Sequence, residues 1–141
     1  MALKSDEAIT HLGAVPLFRG LSKKELQLIA NLSKEQRYPK GAAIMEAGVP
    51  GHGLFIVVEG KASVHRDGQE VASLKPGDFF GEIAMLDSGP RTATVVAAVD
   101  TVCLTLASWE IKPLLMDHAG ITYKMLQEVV RRYREGQRPA D

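Results

Sequence analysis

The feature that most constrains the fold is a series of closely spaced turn signals in the middle of the chain. Between Pro39 and Ala107, short apolar or alternating runs are separated by the segments PKG, GVPGHG, EGK, RDGQ, KPGD and DSGP. This spacing leaves room only for short strands. The Asp67-Gly68 pair predicts a tight hairpin turn, because glycine supplies the positive φ that such a turn needs. The sequence therefore predicts a sandwich, jelly roll or barrel-like roll.

Helical signals lie on both sides of this β region. Ser22 and Glu25 form an S-x-x-E capping box in front of apolar residues at helical spacing. The segment WEIKPLLMDHAG predicts a second helix, which Pro113 should bend or delay. Gly120 suits the end of that helix, and ITYKMLQEVVRRYRE predicts a last one. The predicted order is helix, β roll, two helices.

Composition narrows the class of protein. With 45% hydrophobic residues, 24% charged residues and a formal net charge of +0, the chain should fold, and it should not attract nucleic acid or an anionic membrane in bulk. The first residues hold no apolar signal region, and no apolar run approaches 18 residues. We therefore expect a cytoplasmic protein without a membrane span. The single cysteine, Cys103, is expected to be a buried structural thiol.

Two charged residues stand out in residues 79–95, FFGEIAMLDSGPRTATV. Glu82 and Arg91 lie among apolar residues, where a lone charge is costly unless another group pairs with it. Either both face a bound ligand, or they form a buried ion pair with each other, or Arg91 pairs with Asp87.

This stretch closely resembles the phosphate-binding cassette of cyclic nucleotide-binding domains, and residues 79–95 are called the cassette below. The likeness extends upstream through VPLFRGLS, YPKGAAIMEAGVPG and LFIVVEGKASV. It implies a mainly β fold with flanking helices: a jelly-roll-like β roll with an N-terminal helix, a short cassette helix and two C-terminal helices. We expect one domain, 1–141, with an N-terminal helical segment at 1–33, the roll at 34–107, lid helices at 108–136 and a tail at 137–141.

The resemblance also implies a ligand, a cyclic nucleotide, and a role for each cassette position. The planar fork of Arg91 suits two phosphate oxygens, Glu82 would accept a hydrogen bond from the ribose 2′-hydroxyl, and Gly81 would allow close approach. The remaining implied ligand contacts are the amides of Ile83, Ala84 and Thr92, the Thr92 hydroxyl, Ala93, and Val64 and Ala72 as the apolar wall for the purine.

The last helix carries a charge where an apolar residue is expected. Arg132 falls within the apolar stripe of Ile121 and Met125, so we expect it to cover the purine by stacking. The alternatives are that it extends past Met125 to solvent or pairs with an acid. A second stripe, formed by Leu126, Val130 and Tyr133, requires a partner. The partner is either the capping-box helix or the same helix of a second molecule, which leaves a homodimer open.

The expected function is that of a cyclic nucleotide sensor. Cyclic AMP is favoured, with cyclic GMP as the alternative because Thr92 resembles a guanine-contacting threonine of cyclic-GMP-dependent kinases. Binding should swing the last helix about Gly120, so that helix position is the output. With no helix-turn-helix after Asp141, and hence no direct contact with nucleic acid, we expect the chain to act alone or as an excised regulatory domain.

Other classes of function are less consistent with the sequence. The four histidines are scattered, without an H-x-H or H-E-x-x-H pattern, so no metal or other cofactor is expected. No motif for nucleotide hydrolysis is present, so we expect no enzyme. The remaining alternative is a ligand-free interaction domain of the same fold. The sequence does not determine the affinity, the parent protein or the syn or anti conformation of the base.

Overall fold

The computed structural model describes residues 5–49, 52–87 and 91–136. The chain begins with helix α1 (Ser5–Gly13), a 3₁₀ helix (Pro16–Phe18) and helix α2 (Lys23–Ala30). The predicted capping box is confirmed: the Ser22 hydroxyl accepts from the Glu25 N–H at 3.2 Å, and the Glu25 carboxylate accepts from the Ser22 N–H at 2.9 Å.

Helix α1 was not predicted from the sequence. It has two acids in its first turn, which favour a helix N-terminus. Its apolar face consists of Ala8, Ile9 and Leu12, all buried. Three apolar positions on nine residues give a weak helical signal. Packing against α2 and the 3₁₀ helix stabilises α1, because a helix this short is not stable from its local sequence alone.

Within the described residues, eight short strands form two four-stranded antiparallel sheets, and the predicted fold class is confirmed. The strands are β1 (Lys34–Tyr38), β2 (Ala43–Met45), β3 (Gly53–Glu59), β4 (Ala62–Arg66), β5 (Gln69–Leu74), β6 (Phe79–Phe80), β7 (Thr94–Ala97) and β8 (Thr101–Ala107). One sheet has the order β1-β8-β3-β6 and the other the order β2-β7-β4-β5. A 3₁₀ helix (Ile83–Met85) lies between β6 and β7, where the short cassette helix was predicted.

The predicted hairpin joins β4 to β5. Asp67 and Gly68 both have positive φ, 52° and 79°, as a two-residue hairpin turn of type I′ requires. The register places Val64 directly opposite Ala72.

Two apolar cores lie on either side of the first sheet, because side chains alternate along β3. Leu54 and Ile56 face the helices and join a core that includes residues of all four helices. Phe55 and Val57 face the opposite way and join the roll interior between the sheets. The cassette contributes to both cores, because Met85 joins the helical core and Phe80 joins the roll interior.

Helix α3 (Ser108–Asp117) contains Pro113 in its interior. Of the two predicted effects of the proline, the delayed start is therefore excluded, and the bend stays a prediction. Ile111, fully buried against the helical core, holds α3 in place despite the missing backbone donor. The junction with α4 (Ala119–Arg134) is His118, with φ −122° and ψ 79°.

Gly120 lies inside the first turn of α4 and has no positive φ. The prediction that Gly120 ends the preceding helix is therefore wrong, and the break is two residues earlier. The Thr122 hydroxyl donates to Leu115 O at 2.6 Å and so satisfies a carbonyl at the end of α3.

Candidate functional site

The cassette bridges the two sheets. It begins on β6, which pairs with β3, and it ends on β7 of the other sheet. At its start, the Phe80 ring stacks on Phe55 with centroids 5.0 Å apart and an angle of 8° between the planes. Phe80 is buried in the roll interior, so the residues that follow it start from a fixed position.

Position 81 requires a glycine, because of its backbone conformation and because of the atoms that surround it. Its φ of 84° lies in the region that side-chain-bearing residues rarely adopt. A Cβ at this position would overlap Gly53 O and lie 2.7 Å from Arg91 Nη1. The absent side chain is therefore what lets the guanidinium of Arg91 lie against the start of the cassette.

Arg91 is held by both its side chain and its backbone. Nη2 donates to Gly53 O at 2.8 Å, and the side chain is buried, with 6% of the residue exposed. The Arg91 N–H donates to Val49 O at 3.1 Å, and Arg91 O accepts from the Gly48 N–H at 2.8 Å. The structure thus brings Arg91 and Gly81 together, as the cassette resemblance implied. Arg91 also borders an open cavity of about 260 Å³.

Glu82 is fully buried, and its carboxylate has two partners within the chain. Oε1 accepts from Arg132 Nη1 at 2.7 Å, and the side chains of this ion pair are 0% and 8% exposed. Oε2 accepts from the Leu17 N–H at 3.3 Å. The expectation that Glu82 is left for a ligand alone is therefore wrong. Removing one member of a buried ion pair typically costs about 3–5 kcal/mol, because the other charge is left uncompensated.

Arg132 adopts the arrangement that the sequence left as an alternative, pairing with an acid. It lies in the last turn of α4, on the buried stripe with Ile121 and Met125. Stacking of Arg132 on a purine stays a prediction.

The other predicted contact residues fall into three groups. Ile83 and Ala84 lie in the 3₁₀ helix of the cassette, and Ala84 is buried. Thr92 is exposed, whereas Ala93 is buried in the roll interior.

The two residues predicted to form the purine wall lie on neighbouring strands. Val64 packs partly against the roll interior, and its partner Ala72 is exposed. Since side chains alternate along a strand, both lie on the inner face, with Ala62 and Leu74. The wall is therefore open on the β5 side.

Sequence reasoning missed two residues that position the site, Leu17 and Gly53. Leu17 acts through its backbone N–H, and this group carries no residue-type signal. Gly53 accepts through its carbonyl, and a Cβ there would overlap Leu106 O of β8. A glycine at the first position of a buried strand often marks such a close backbone approach, so Gly53 could have been found.

Other chemistry-bearing groups do not converge. In the parts of the chain that the structure describes, no three His, Cys, Asp or Glu residues are grouped to hold a metal ion. Cys103 is buried, and burial raises the pKa of its thiol to about 12. Among the same residues, no helix has the length and apolar composition that crossing a membrane requires.

Comparison with known proteins agrees with the geometry. The family model described as the cyclic nucleotide-binding domain matches residues 35–118. The chain is 35% identical over 125 residues to the cyclic AMP receptor protein of Thermus thermophilus, an alignment that covers 85% of this chain and 58% of that protein. It is 35% identical over 110 residues to a cAMP-dependent protein kinase regulatory subunit of Hypocrea atroviridis, covering 78% of this chain and 24% of that protein.

A solved structure is similar over nearly its whole length. The N-terminal domain of a transcriptional regulator from Streptomyces coelicolor superposes with a TM-score of 0.82 at 31% identity, covering 89% of this chain and 92% of that one. The chain belongs to the cyclic nucleotide-binding domain family. It spans 58% and 24% of the length of the two curated relatives described above, so it corresponds to one part of each.

Proposed function

We propose that this chain is a sensor domain that binds a cyclic nucleotide at the cassette. The observation that carries the proposal is that the guanidinium of Arg91 lies against Gly81. Gly81 is followed in the sequence by Glu82, whose carboxylate is buried. A guanidinium donates two parallel hydrogen bonds to a phosphate, and a carboxylate accepts from a ribose hydroxyl. A 3′,5′-cyclic phosphodiester carries one negative charge, so one guanidinium and a few amides match it without a metal ion.

Each cassette residue has a proposed role. Arg91 binds the phosphate, together with the amides of Ile83, Ala84 and Thr92 and the Thr92 hydroxyl. Glu82 accepts from the ribose 2′-hydroxyl. Gly81 and Ala93 keep the cassette close to the ligand, and Val64 and Ala72 form the apolar side of the purine pocket.

Cyclic AMP is the proposed ligand, with cyclic GMP as the alternative. The names of the two curated relatives, a cyclic AMP receptor protein and a regulatory subunit of a cAMP-dependent kinase, support cyclic AMP. The exposed Thr92 is the feature that keeps cyclic GMP as the alternative. We propose no catalysis, no cofactor, no direct contact with nucleic acid and a cytoplasmic location.

The output of the domain is the position of α4. Glu82 joins the cassette to α4 through Arg132 and to the N-terminal 3₁₀ helix through Leu17. A ligand on Glu82 therefore acts on both helical segments at once. A ligand can shift the equilibrium between two arrangements of these helices only if it binds one of them more tightly than the other. A shift of their populations from 1:99 to 99:1 needs about 5.5 kcal/mol of difference in binding free energy.

A homodimer through α4 is part of the proposal. Leu126, Val130 and Tyr133, the second stripe of the helix, are 56%, 49% and 83% exposed, so α2 does not cover them. We therefore propose a second molecule of this chain as the partner of the stripe.

Isothermal titration calorimetry with cyclic AMP and cyclic GMP tests the ligand. The wild-type chain should bind at least one of them. Arg91→Glu should weaken binding by about 100-fold or more, because two charge-assisted hydrogen bonds of about 1.5–3 kcal/mol each are lost and 1.4 kcal/mol corresponds to tenfold.

Arg37→Glu is the matched control for this titration. It makes the same charge change on exposed β1, at the edge of the first sheet opposite the cassette, and should leave affinity unchanged. If the wild-type chain and the Arg132 variants described below bind neither nucleotide, the proposal is wrong and an interaction domain is favoured.

A further inference from the structure

The carboxylate assigned to the ribose is closed off in this structure. Glu82 is 0% exposed, and each of its oxygens already accepts a hydrogen bond, from Arg132 and from the Leu17 N–H. Each carboxylate oxygen can accept a second hydrogen bond, but Glu82 has no exposed surface, so a ligand hydroxyl reaches it only if a group that covers it moves. Arg132 and the Leu17 N–H are the two groups hydrogen-bonded to this carboxylate.

Of the two donors, Arg132 is the one with room to move. Leu17 is 3% exposed and lies in the helical core with its neighbour Phe18, which is fully buried. Arg132, in contrast, lies in the last turn of α4, which ends two residues later at Arg134. Tyr133 in the same turn is 83% exposed, and helix ends open at a far lower free energy than a buried core does.

We propose that Arg132 is a latch on the ribose side of the site. It occupies Glu82 when no nucleotide is bound, and a cyclic ribonucleotide reaches Glu82 only after the last turn of α4 has moved away. The latch rests on the proposed function, because it assumes that Glu82 binds the ribose. It reverses the expected direction of the helix: the ligand releases the end of α4 and does not draw it in.

The energetic basis is competition between two donors for one carboxylate. The guanidinium carries a full charge and the ribose hydroxyl does not, so the bond that is lost is stronger than the bond that replaces it. Contacts of the phosphate with Arg91 have to offset the difference. The apparent affinity is reduced in proportion to the fraction of molecules that are open, so a site latched about 90% of the time binds about tenfold more weakly than an open one.

The latch and the stacking lid predict opposite results for one substitution. Calorimetry is carried out with cyclic AMP on the wild-type chain, Arg132→Met and Arg132→Gln. If Arg132 is a latch, both variants bind cyclic AMP about tenfold more tightly than the wild type. If either variant binds equally or more weakly, the latch is overturned.

Two controls separate the latch from a general loosening of the fold. Arg134→Met removes a charge from the exposed end of the same helix and should leave the affinity at the wild-type value. 2′-Deoxy-cyclic AMP lacks the hydroxyl that competes for Glu82, so its affinity should be the same in the wild type and in both Arg132 variants. A tightening that is equal for both nucleotides would overturn the latch.

A second measurement requires no substitution and remains decisive if the Arg132 variants fold poorly. Amide hydrogen exchange of the wild-type chain is followed by mass spectrometry with and without saturating cyclic AMP. Exchange in the last turns of α4, towards Arg134, should become faster when cyclic AMP binds. Slower exchange there, as a closing lid produces, would overturn the latch.

The failure of the latch can be distinguished from the failure of the proposed function. If no nucleotide binds to the wild type or to any Arg132 variant, both are wrong. If nucleotides bind in an Arg91-dependent way but the Arg132 variants do not bind more tightly, only the latch is wrong.

Discussion

Two glycines determine where Arg91, the proposed phosphate ligand, can lie. Gly53 O accepts from Arg91 Nη2, and Gly81 approaches both that carbonyl and the guanidinium more closely than any residue with a side chain could. Gly53 is fixed in turn by the backbone of β8, through its close approach to Leu106 O. The geometry of Arg91 therefore depends on residues that contribute no side chain.

Gly81→Ala is expected to weaken binding of cyclic AMP and to destabilise the fold. The new Cβ would have to displace Gly53 O or the guanidinium of Arg91, and φ of 84° strains any residue with a Cβ. A strained backbone of this kind costs about 1–3 kcal/mol. Calorimetry gives the affinity, and urea unfolding gives the stability.

Gly120→Ala is the matched control, because a Cβ there would meet nothing within 4 Å and the residue has no positive φ. It should leave affinity unchanged and raise helix stability by up to about 1 kcal/mol. Equal effects of the two substitutions would contradict the role given to Gly81.

At the scale of secondary structure, two ion pairs of different character join α4 to other elements in the described part of the chain. Near its start, Lys124 Nζ lies 2.7 Å from Glu25 Oε1 of α2, with both side chains partly exposed. Near its end, Arg132 meets Glu82 in a buried setting. The first ion pair is screened by solvent and contributes little to the free energy of unfolding. Breaking the second leaves a buried charge without its partner, which is strongly destabilising.

The Glu25 contact predicts a pH dependence. Hydrogen bonds from the Lys124 side chain and the Ser22 backbone hold the pKa of Glu25 below its usual value of 4.5. A lowered pKa gives stability that is present above the unfolded value and is lost as the pH falls through the folded value. Glu25→Gln should therefore reduce the free energy of unfolding by at most about 1 kcal/mol at pH 7, and by less at pH 3.

Urea unfolding of the wild type and Glu25→Gln at pH 7 and pH 3 measures this difference in the free energy of unfolding. Lys124→Gln removes the other partner of the ion pair, and the double substitution of Glu25 and Lys124 isolates the interaction energy between the two side chains. Glutamine at position 25 still accepts from the Ser22 N–H, so the capping box is kept. A difference that grows as the pH falls would contradict the assignment.

At the scale of the whole molecule, the outer face of α4 carries apolar side chains that nothing in the described part of the chain covers. They border a groove of about 550 Å³ lined by Leu126 and Val130, with charged residues at one end. In a twofold dimer the same patch of both molecules meets, so this face is the surface on which the proposed dimer is tested.

Val130→Glu should convert a dimer to a monomer without unfolding it. Sedimentation velocity at several protein concentrations measures the association state, and circular dichroism checks the fold. Val99→Glu, which places the same charge on an exposed residue of the β7–β8 connection, should leave the dimer intact. A wild-type chain that sediments as a monomer at every concentration would show that the face has another role.

The sequence by itself determined the local structure and the composition of the site. Turn residues predicted the strands and the Asp67-Gly68 hairpin, the Ser22–Glu25 box predicted α2, and the cassette motif brought Gly81 and Arg91 into one site. These features follow from φ preferences, capping and spacing along a few neighbouring residues, so they can be read without knowing the packing.

The tertiary structure alone decided the partner of Glu82. Arg132 and Leu17 lie 50 and 65 residues from it along the chain, and one of them contributes only a backbone N–H. Which charge meets which depends on how α4 and the N-terminal 3₁₀ helix dock on the roll. Docking is set by apolar packing over the whole helical core, and no short stretch of sequence encodes it.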